Sequence, residues 1–214
     1  MSKQIALTFD DGPNTTTTME VLRLLKKYKV TASFFLIGDN INDESINAVK
    51  ECAAHGCEIC NHSKTHPDMT KLSADEVKSE IKYTDEIIEK ITGKKPAFFR
   101  PPFILVNKTM VENIDLPFIC GEHGEDWNPE VDATERARRI LEAVRDNSII
   151  LLHDMTGNDE TVKALDILIP KLLDEGYNFV NISDLFANAK VTPTCHSGIL
   201  YSNTDDTVPR EYDA

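Results

Sequence analysis

Long apolar runs are missing from this 214-residue chain. Its longest, such as residues 34–37 and 149–152, fall far short of the roughly 18 residues a membrane-spanning helix needs, so the chain is not expected to cross a bilayer. Positive charge is scarce as well. Lys and Arg number 23 against 36 Asp and Glu, and a net charge of −13 repels phosphate backbones and anionic membranes over most of the surface. Nucleic acid and acidic lipid are therefore poor partners, and a neutral or cationic substrate fits better. Five cysteines (52, 57, 60, 120 and 195) cannot all pair within one chain, which excludes a disulfide scaffold and favours reduced thiols. No internal repeat is evident, and the only low-complexity tract is the four threonines at residues 15–18. No basic and apolar leader follows Met1. The expected location is the cytoplasm if Met1 is native, or the cell surface or exterior if the chain is a module of a longer protein.

What is present is a folded α/β chain. Hydrophobic residues at 41% with charged residues at 28% exclude a disordered or collagenous protein. Strand patterns at residues 4–9, 32–37, 58–61, 97–100, 118–121, 148–153 and 179–182 alternate with helical patterns. The helix at residues 18–28 places Val21, Leu22, Leu25 and Tyr28 on one face. Another opens with the capping-box pattern Ser73-Ala74-Asp75-Glu76 and stops at Gly93. Pro170 falls inside the helix predicted at 162–174 and implies a kink there. Seven β/α alternations without a linker predict one parallel-stranded domain over residues 1–189, open or closed into a barrel. Residues 190–214, without periodicity, are expected to form a surface extension or linker stub.

The distinctive polar residues all follow predicted strands, and in parallel α/β folds the carboxyl ends of the strands form the functional face. Asp10 and Asp11 are adjacent carboxylates at a strand mouth, which repel unless a cation or a proton intervenes; alone, Asp-Asp-Gly-Pro also reads as a turn. His62 and His66 stand four apart, so one helical turn would bring both imidazoles to the same side. With one carboxylate they make a three-ligand set suited to zinc or another divalent transition metal, leaving positions open for water and substrate. One aspartate can ligate while the other accepts a proton, and His153 can act as general acid. Arg100 suits a role beside the carboxylate base and Asp126 one beside His153, although in isolation these two read as a surface ion pair. Trp127 and Leu151 read as core residues or as walls of the site.

Cys57 and Cys60 followed by His62 and His66 could be written as a structural zinc site, but on a strand the two thiols point to opposite faces. His55, His123 and His196 lack a partner pattern and are expected at the surface. Phosphatases with paired strand-end aspartates separate the two by one residue and use no histidine pair, whereas Asp10 and Asp11 are contiguous.

Five ordered segments carry a resemblance: Thr8-Phe9-Asp10-Asp11-Gly12-Pro13, His62-Ser63-Lys64-Thr65-His66, Arg100-Pro101-Pro102-Phe103, Asp126-Trp127 and Leu151-Leu152-His153. Over roughly residues 4–187 the chain resembles the polysaccharide deacetylases (NodB homology domain, carbohydrate esterase family 4) and is similar to bacterial acetylxylan esterase modules. The resemblance implies a distorted (β/α)7 barrel that hydrolyses acetyl groups from sugars with one divalent metal, zinc first and cobalt, nickel or manganese as alternatives. It implies Asp10 as base; Asp11, His62 and His66 as metal ligands; and His153 as acid. Arg100 would position the base, and Asp126 would tune the acid. Trp127 and Leu151 would shape the acetyl pocket, and the backbone N–H of Phe103, where the family usually has tyrosine, would help hold the oxyanion. The expected partner is an acetylated polysaccharide or oligosaccharide acted on by a monomer, leaning to O-acetyl xylan. The alternatives are N-acetylglucosamine polymers and, more distantly, a metal- or carbohydrate-binding module without turnover.

Overall fold

The structure is a computed structural model that describes residues 3–212. The chain alternates strand and helix from its start: β1 (Lys3–Asp10), α1 (Thr17–Tyr28), β2 (Ser33–Leu36), α2 (Ile46–Ala54), β3 (Glu58–Asn61) and α3 (Ala74–Thr92). It continues through α4 (Lys108–Asn113), β4 (Phe118–Ile119), β5 (Glu122–His123), α5 (Ala133–Ala143), β6 (Ser148–His153) and α6 (Asp159–Asp174). β7 (Tyr177–Phe179), α7 (Ile182–Ala189) and β8 (Leu200–Tyr201) complete it. Local chemistry sets these boundaries. Ser73 and Glu76 form the reciprocal capping box that opens α3, and Gly93 closes it at φ 73°, a left-handed conformation that costs glycine little. Asp132 caps α5 by accepting the Glu135 N–H.

The strands form a parallel sheet in the order β3-β2-β1-β6-β5. β1 changes neighbour along its length, pairing with β7 at Lys3–Ile5 and with β2 at residues 8–10. Single parallel bridges carry the circuit onward from Asn61 to Phe99 and from Phe99 to Phe118, and β8 pairs with β4. The Ile149 N–H donates to the Ser202 carbonyl and Ser148 bridges Asn203, returning the circuit to β6. The result is the distorted (β/α)7 barrel.

Period-2 alternation divides the core into two layers. Ile5, Leu7 and Phe9 of β1 and Ile150 and Leu152 of β6 pack outward against α1, α5 and α6. Ala6, Phe35, Cys60 and Ile149 point inward and meet Ile182, Leu185 and Phe186 of α7, which plugs one end of the barrel. The same alternation aims Asp10 and His153, the last residues of their strands, into the barrel's opposite mouth.

Several expectations change. The extension expected at residues 190–214 is not confined to the surface: Leu200 and Tyr201 are buried, β8 pairs with β4, and the following residues bond the start of β6. The strand expected at 97–100 reduces to a bridge at Phe99, flanked by Pro96 and Pro101, which lack the N–H a ladder needs. The last strand lies at Tyr177–Phe179 rather than 179–182. The helix expected at 162–174 begins at Asp159 and runs as one element with Pro170 inside it. Cys57 and Cys60 belong to different core layers and share no site, and burial raises both thiols, Cys57 to about 11.

Candidate active site

At the open mouth lies a cavity of about 580 Å³. Asp10, Asp11, His62, His66, Phe103, Trp127, Leu151 and His153 line it, and Arg100 and Asp126 stand fully buried behind it. All ten residues singled out from the sequence therefore converge on one place, though they come from segments up to 143 positions apart.

Asp11, His62 and His66 form the only candidate metal-binding cluster among the described residues, with one ligand atom from each lying within 4.8 Å of the others. Asp11 Oδ1 is 3.5 Å from His62 Nε2 and 3.5 Å from His66 Nε2. Ligands held about 2.0–2.2 Å from one tetrahedral zinc lie about 3.3–3.6 Å apart, so the donors fit a single ion. Asp11 Oδ1 and His62 Nε2 are buried without any hydrogen-bond partner, a costly state that a shared cation relieves. The other ring nitrogen of His62 bonds the Arg100 carbonyl at 2.7 Å, which turns the Nε2 lone pair toward Asp11. Burial would raise the Asp11 carboxyl, but the facing imidazoles hold it below its usual value; burial and the neighbouring His62 ring push His66 down, towards the neutral ligand form.

The histidine pair is not brought together by a helical turn. Residues 62–66 form an irregular loop with Ser63 at φ 66° and His66 at φ 56°. Ser63 Oγ accepts the His66 N–H, and the Glu80 carboxylate on α3 accepts the N–H groups of Lys64 and Thr65. Backbone strain held by specific acceptors, rather than helical periodicity, sets the spacing.

Beside the cluster, Arg100 Nη1 meets Asp10 Oδ1 at 2.6 Å. Its Nη2 donates to the Cys120 carbonyl at 2.7 Å, and its guanidinium lies 4.2 Å from the centre of the Phe35 ring. This fixes one Asp10 oxygen and leaves Oδ2 near the cluster, 3.8 Å from His62 Nε2. From the neighbouring strand, where it is the register partner of Asp10, His153 bonds Asp126 Oδ1 through Nδ1 at 2.8 Å. Burial pushes His153 down, but the Asp126 hydrogen bond and charge, with Asp10 and Asp11 behind them, outweigh it and raise His153 to about 9. With Nδ1 engaged, Nε2 is the nitrogen available to the cavity. Arg100 and Asp126 are thus two separate buried pairs, not partners of each other.

Phe103 sits at φ 57° and is 62% exposed, its ring edge-on to His66 at 4.6 Å. Trp127, 46% exposed, leans on His153 at 5.7 Å, so both aromatics are accessible beside the polar centre. His123 lies at the cavity rather than apart from it, 4.7 Å from the Trp127 ring, because its pairing with Leu151 brings β5 to the mouth. The sequence also gave no sign of the groups behind Asp126. Thr161 donates to Asp126 Oδ2, and Asn158 holds the Asp126 and His153 carbonyls. Arg136, buried, donates to both Asn158 and Thr161. No local pattern marks them, since they meet only in the folded chain.

The polysaccharide deacetylase family model matches residues 1–116. The chain is 47% identical over 191 residues to a bifunctional xylanase/deacetylase of Pseudobutyrivibrio xylanivorans, covering 89% of this chain and 32% of that protein. It therefore spans about a third of that relative's length. The structure matches the Xyl-CE4 domain of a multidomain xylanase from the hindgut metagenome of Trinervitermes trinervoides with a TM-score of 0.94 and 42% identity, covering 97% and 100% of the two chains. It matches a family 4 acetyl xylan esterase from Clostridium thermocellum, solved with a cobalt ion, with a TM-score of 0.92 and 38% identity over 95% and 100%. With the motifs in place and the barrel superposing almost end to end, the chain belongs to the polysaccharide deacetylase family, carbohydrate esterase family 4.

Proposed function

We propose that this domain is a metal-dependent carbohydrate deacetylase whose substrate is O-acetylated xylan. The observation that carries the reading is the Asp11–His62–His66 cluster, with its unpartnered buried donor atoms, in one cavity with a carboxylate held by a guanidinium and an imidazole held by a carboxylate.

Asp11, His62 and His66 would hold a divalent ion, zinc by preference, which when bound supplies a Lewis acid for the acetyl carbonyl and a water of lowered pKa. Asp10 Oδ2, the oxygen that Arg100 leaves free, accepts the proton of the attacking water. His153, charged through neutral pH, donates from Nε2 to the departing sugar oxygen. Asp126 steadies the imidazolium and fixes which nitrogen faces the substrate. The Phe103 N–H stabilises the oxyanion, while Leu151 and Trp127 enclose the acetyl methyl against bulk water. The base and the acid are separate groups at the ends of neighbouring strands, so proton removal and proton delivery can occur at different oxygens of one tetrahedral intermediate, and no acyl-enzyme is needed.

The lean to xylan rests on the likeness to the xylanase/deacetylase and to the acetyl xylan esterase, and on the exposed aromatic side chains of Phe103 and Trp127, which suit the apolar faces of neutral sugars. Acetate release from acetylxylan and from chitooligosaccharides, measured on chelator-stripped protein with and without added zinc, tests it. Zinc-restored release from acetylxylan is the expected result. Activity confined to the amide substrates overturns the xylan assignment, and equal activity without metal overturns the metal dependence.

A further inference from the structure

Asp154 follows the general-acid histidine, is fully buried, and takes no part in the chemistry above. Its surroundings are unusual for a carboxylate. Among the described residues it has no cationic partner, and its oxygens meet only neutral donors: Oδ1 accepts the Gly12 N–H at 3.1 Å and Oδ2 accepts the Thr18 hydroxyl. Its backbone is committed to the same segment, the N–H donating to the Asp10 carbonyl at 3.0 Å and the carbonyl accepting from Asn14 Nδ2 at 2.7 Å. One residue thus grips the turn after β1 at Asp10, Gly12, Asn14 and Thr18, and the residue enclosed by the grip is Asp11.

Asp11 needs such a grip. At φ 76° it occupies a conformation that disfavours any residue with a side chain, and such strain persists only where the surroundings enforce it. Asn40 Nδ2 holds the Asp11 carbonyl at 2.7 Å and the Ile37 N–H holds the Gly12 carbonyl at 2.9 Å, both from the β2 side. Asp154 supplies the opposing hold from the β6 side. The fit is close: a Cβ on Gly12 would stand 2.6 Å from Asp154 Oδ2, so position 12 has no room for a side chain while the carboxylate is in place.

We propose that Asp154 is a positioning residue for the metal site, fixing the strained Asp11 carboxylate toward His62 and His66 and adding a buried negative charge beside the cation. The proposal rests on the assignment of Asp11 as a metal ligand. A carboxylate met only by neutral donors is a burden to the metal-free fold: burial first, and the nearby Asp11 and Asp10 charges after it, raise this group to about 7. Such a group repays its burial only when a cation arrives, so affinity and metal-free stability should move in opposite directions when it is neutralised.

The test is zinc affinity by competition with a chromogenic chelator, measured beside the melting temperature of the stripped protein, for wild type, Asp154→Asn and Asp154→Ala. The asparagine keeps an acceptor for the Gly12 N–H and loses the charge; the alanine loses both. Zinc binding is expected to weaken by about 10-fold in the asparagine variant and towards 100-fold in the alanine variant, the range typical of groups that orient metal ligands. The stripped Asp154→Asn protein is expected to melt no lower than wild type. Should the alanine variant fail to fold, the asparagine variant decides alone. Unchanged affinity in Asp154→Asn overturns the proposal, as does a loss of affinity matched by a loss of metal-free stability, which marks an ordinary structural role. A wild-type protein that binds no zinc overturns the metal assignment itself, a separate failure.

Discussion

Replacing Asp126 by asparagine removes a charge from the His153 pair while keeping the side chain's shape. The carboxylate is fully buried and its Oδ1 lies 2.8 Å from His153 Nδ1, which places the two charge centres about 4 Å apart. At that separation and an effective dielectric of about 20, the attraction is about 4 kcal/mol. Divided by 1.36 kcal/mol per unit, it corresponds to about 3 units in the pKa of His153. The histidine stands at about 9 in the intact pair, so its acid form prevails at neutral pH and is lost as pH rises through that value. In the variant, burial acts without its main opponent and the pKa falls to near 6. At pH 7.5 the protonated fraction then drops from nearly all to about 3%, a loss of about 30-fold in kcat/KM from protonation alone. The assay is a pH profile of acetate release for both proteins, with the His153 ring followed by NMR titration. The alkaline limb should move down by 2–3 units, with part of the activity recovered on the acid side. A limb that stays in place, or a loss equal at every pH, refutes the assignment of His153 as an acid tuned by Asp126.

Two further outcomes test the base and the barrel closure. Asp10→Asn should retain stoichiometric zinc, since the Asp11, His62 and His66 donors are untouched, yet lose about 10² or more in kcat, the usual share of general base catalysis; full activity in that variant refutes the role. Tyr201→Ala should destabilise the protein by about 3–5 kcal/mol in denaturant unfolding, as for other large buried rings. Tyr201 is 3% exposed and its ring meets Phe186 of the barrel plug at 5.3 Å, whereas a residue in a loose tail would cost less than about 0.5 kcal/mol.

The parts of this molecule legible in the sequence are those governed by local rules. Alternation in β1 and β6 puts Asp10 and His153 on the inward face, and parallel β/α order sends both to the same mouth. The capping box of α3 and the glycine after it mark that helix without help from the rest of the chain. What escaped notice depends on partners far away in sequence. β8 is two residues long and has strand geometry only because β4 and β6 offer it unpaired backbone. His123 is exposed, as expected, but its place at the cavity follows only from the pairing of β5 beside Leu151. The loop between His62 and His66 takes its shape from Glu80, which sits on the next helix.

The four buried or half-buried carboxylates at the mouth show why residue types alone could not assign roles there. Asp10 faces a guanidinium, Asp126 an imidazolium and two further donors, Asp11 two imidazoles, and Asp154 only neutral N–H and O–H groups. The side-chain chemistry is the same in each, and the partners differ in charge and in the number of oxygens they occupy. A carboxylate with one oxygen taken by Arg100 and one free is equipped to accept a proton. One whose oxygens are both engaged, with an imidazole among the partners, can orient and charge that imidazole. One aimed between two imidazoles is equipped to ligate. One enclosed by neutral donors can only hold a turn in place and lend its charge to a neighbour. Each of the four is set apart by what it is bonded to, and their hydrogen bonds span 27 to 142 positions, so the division exists only once the barrel has closed.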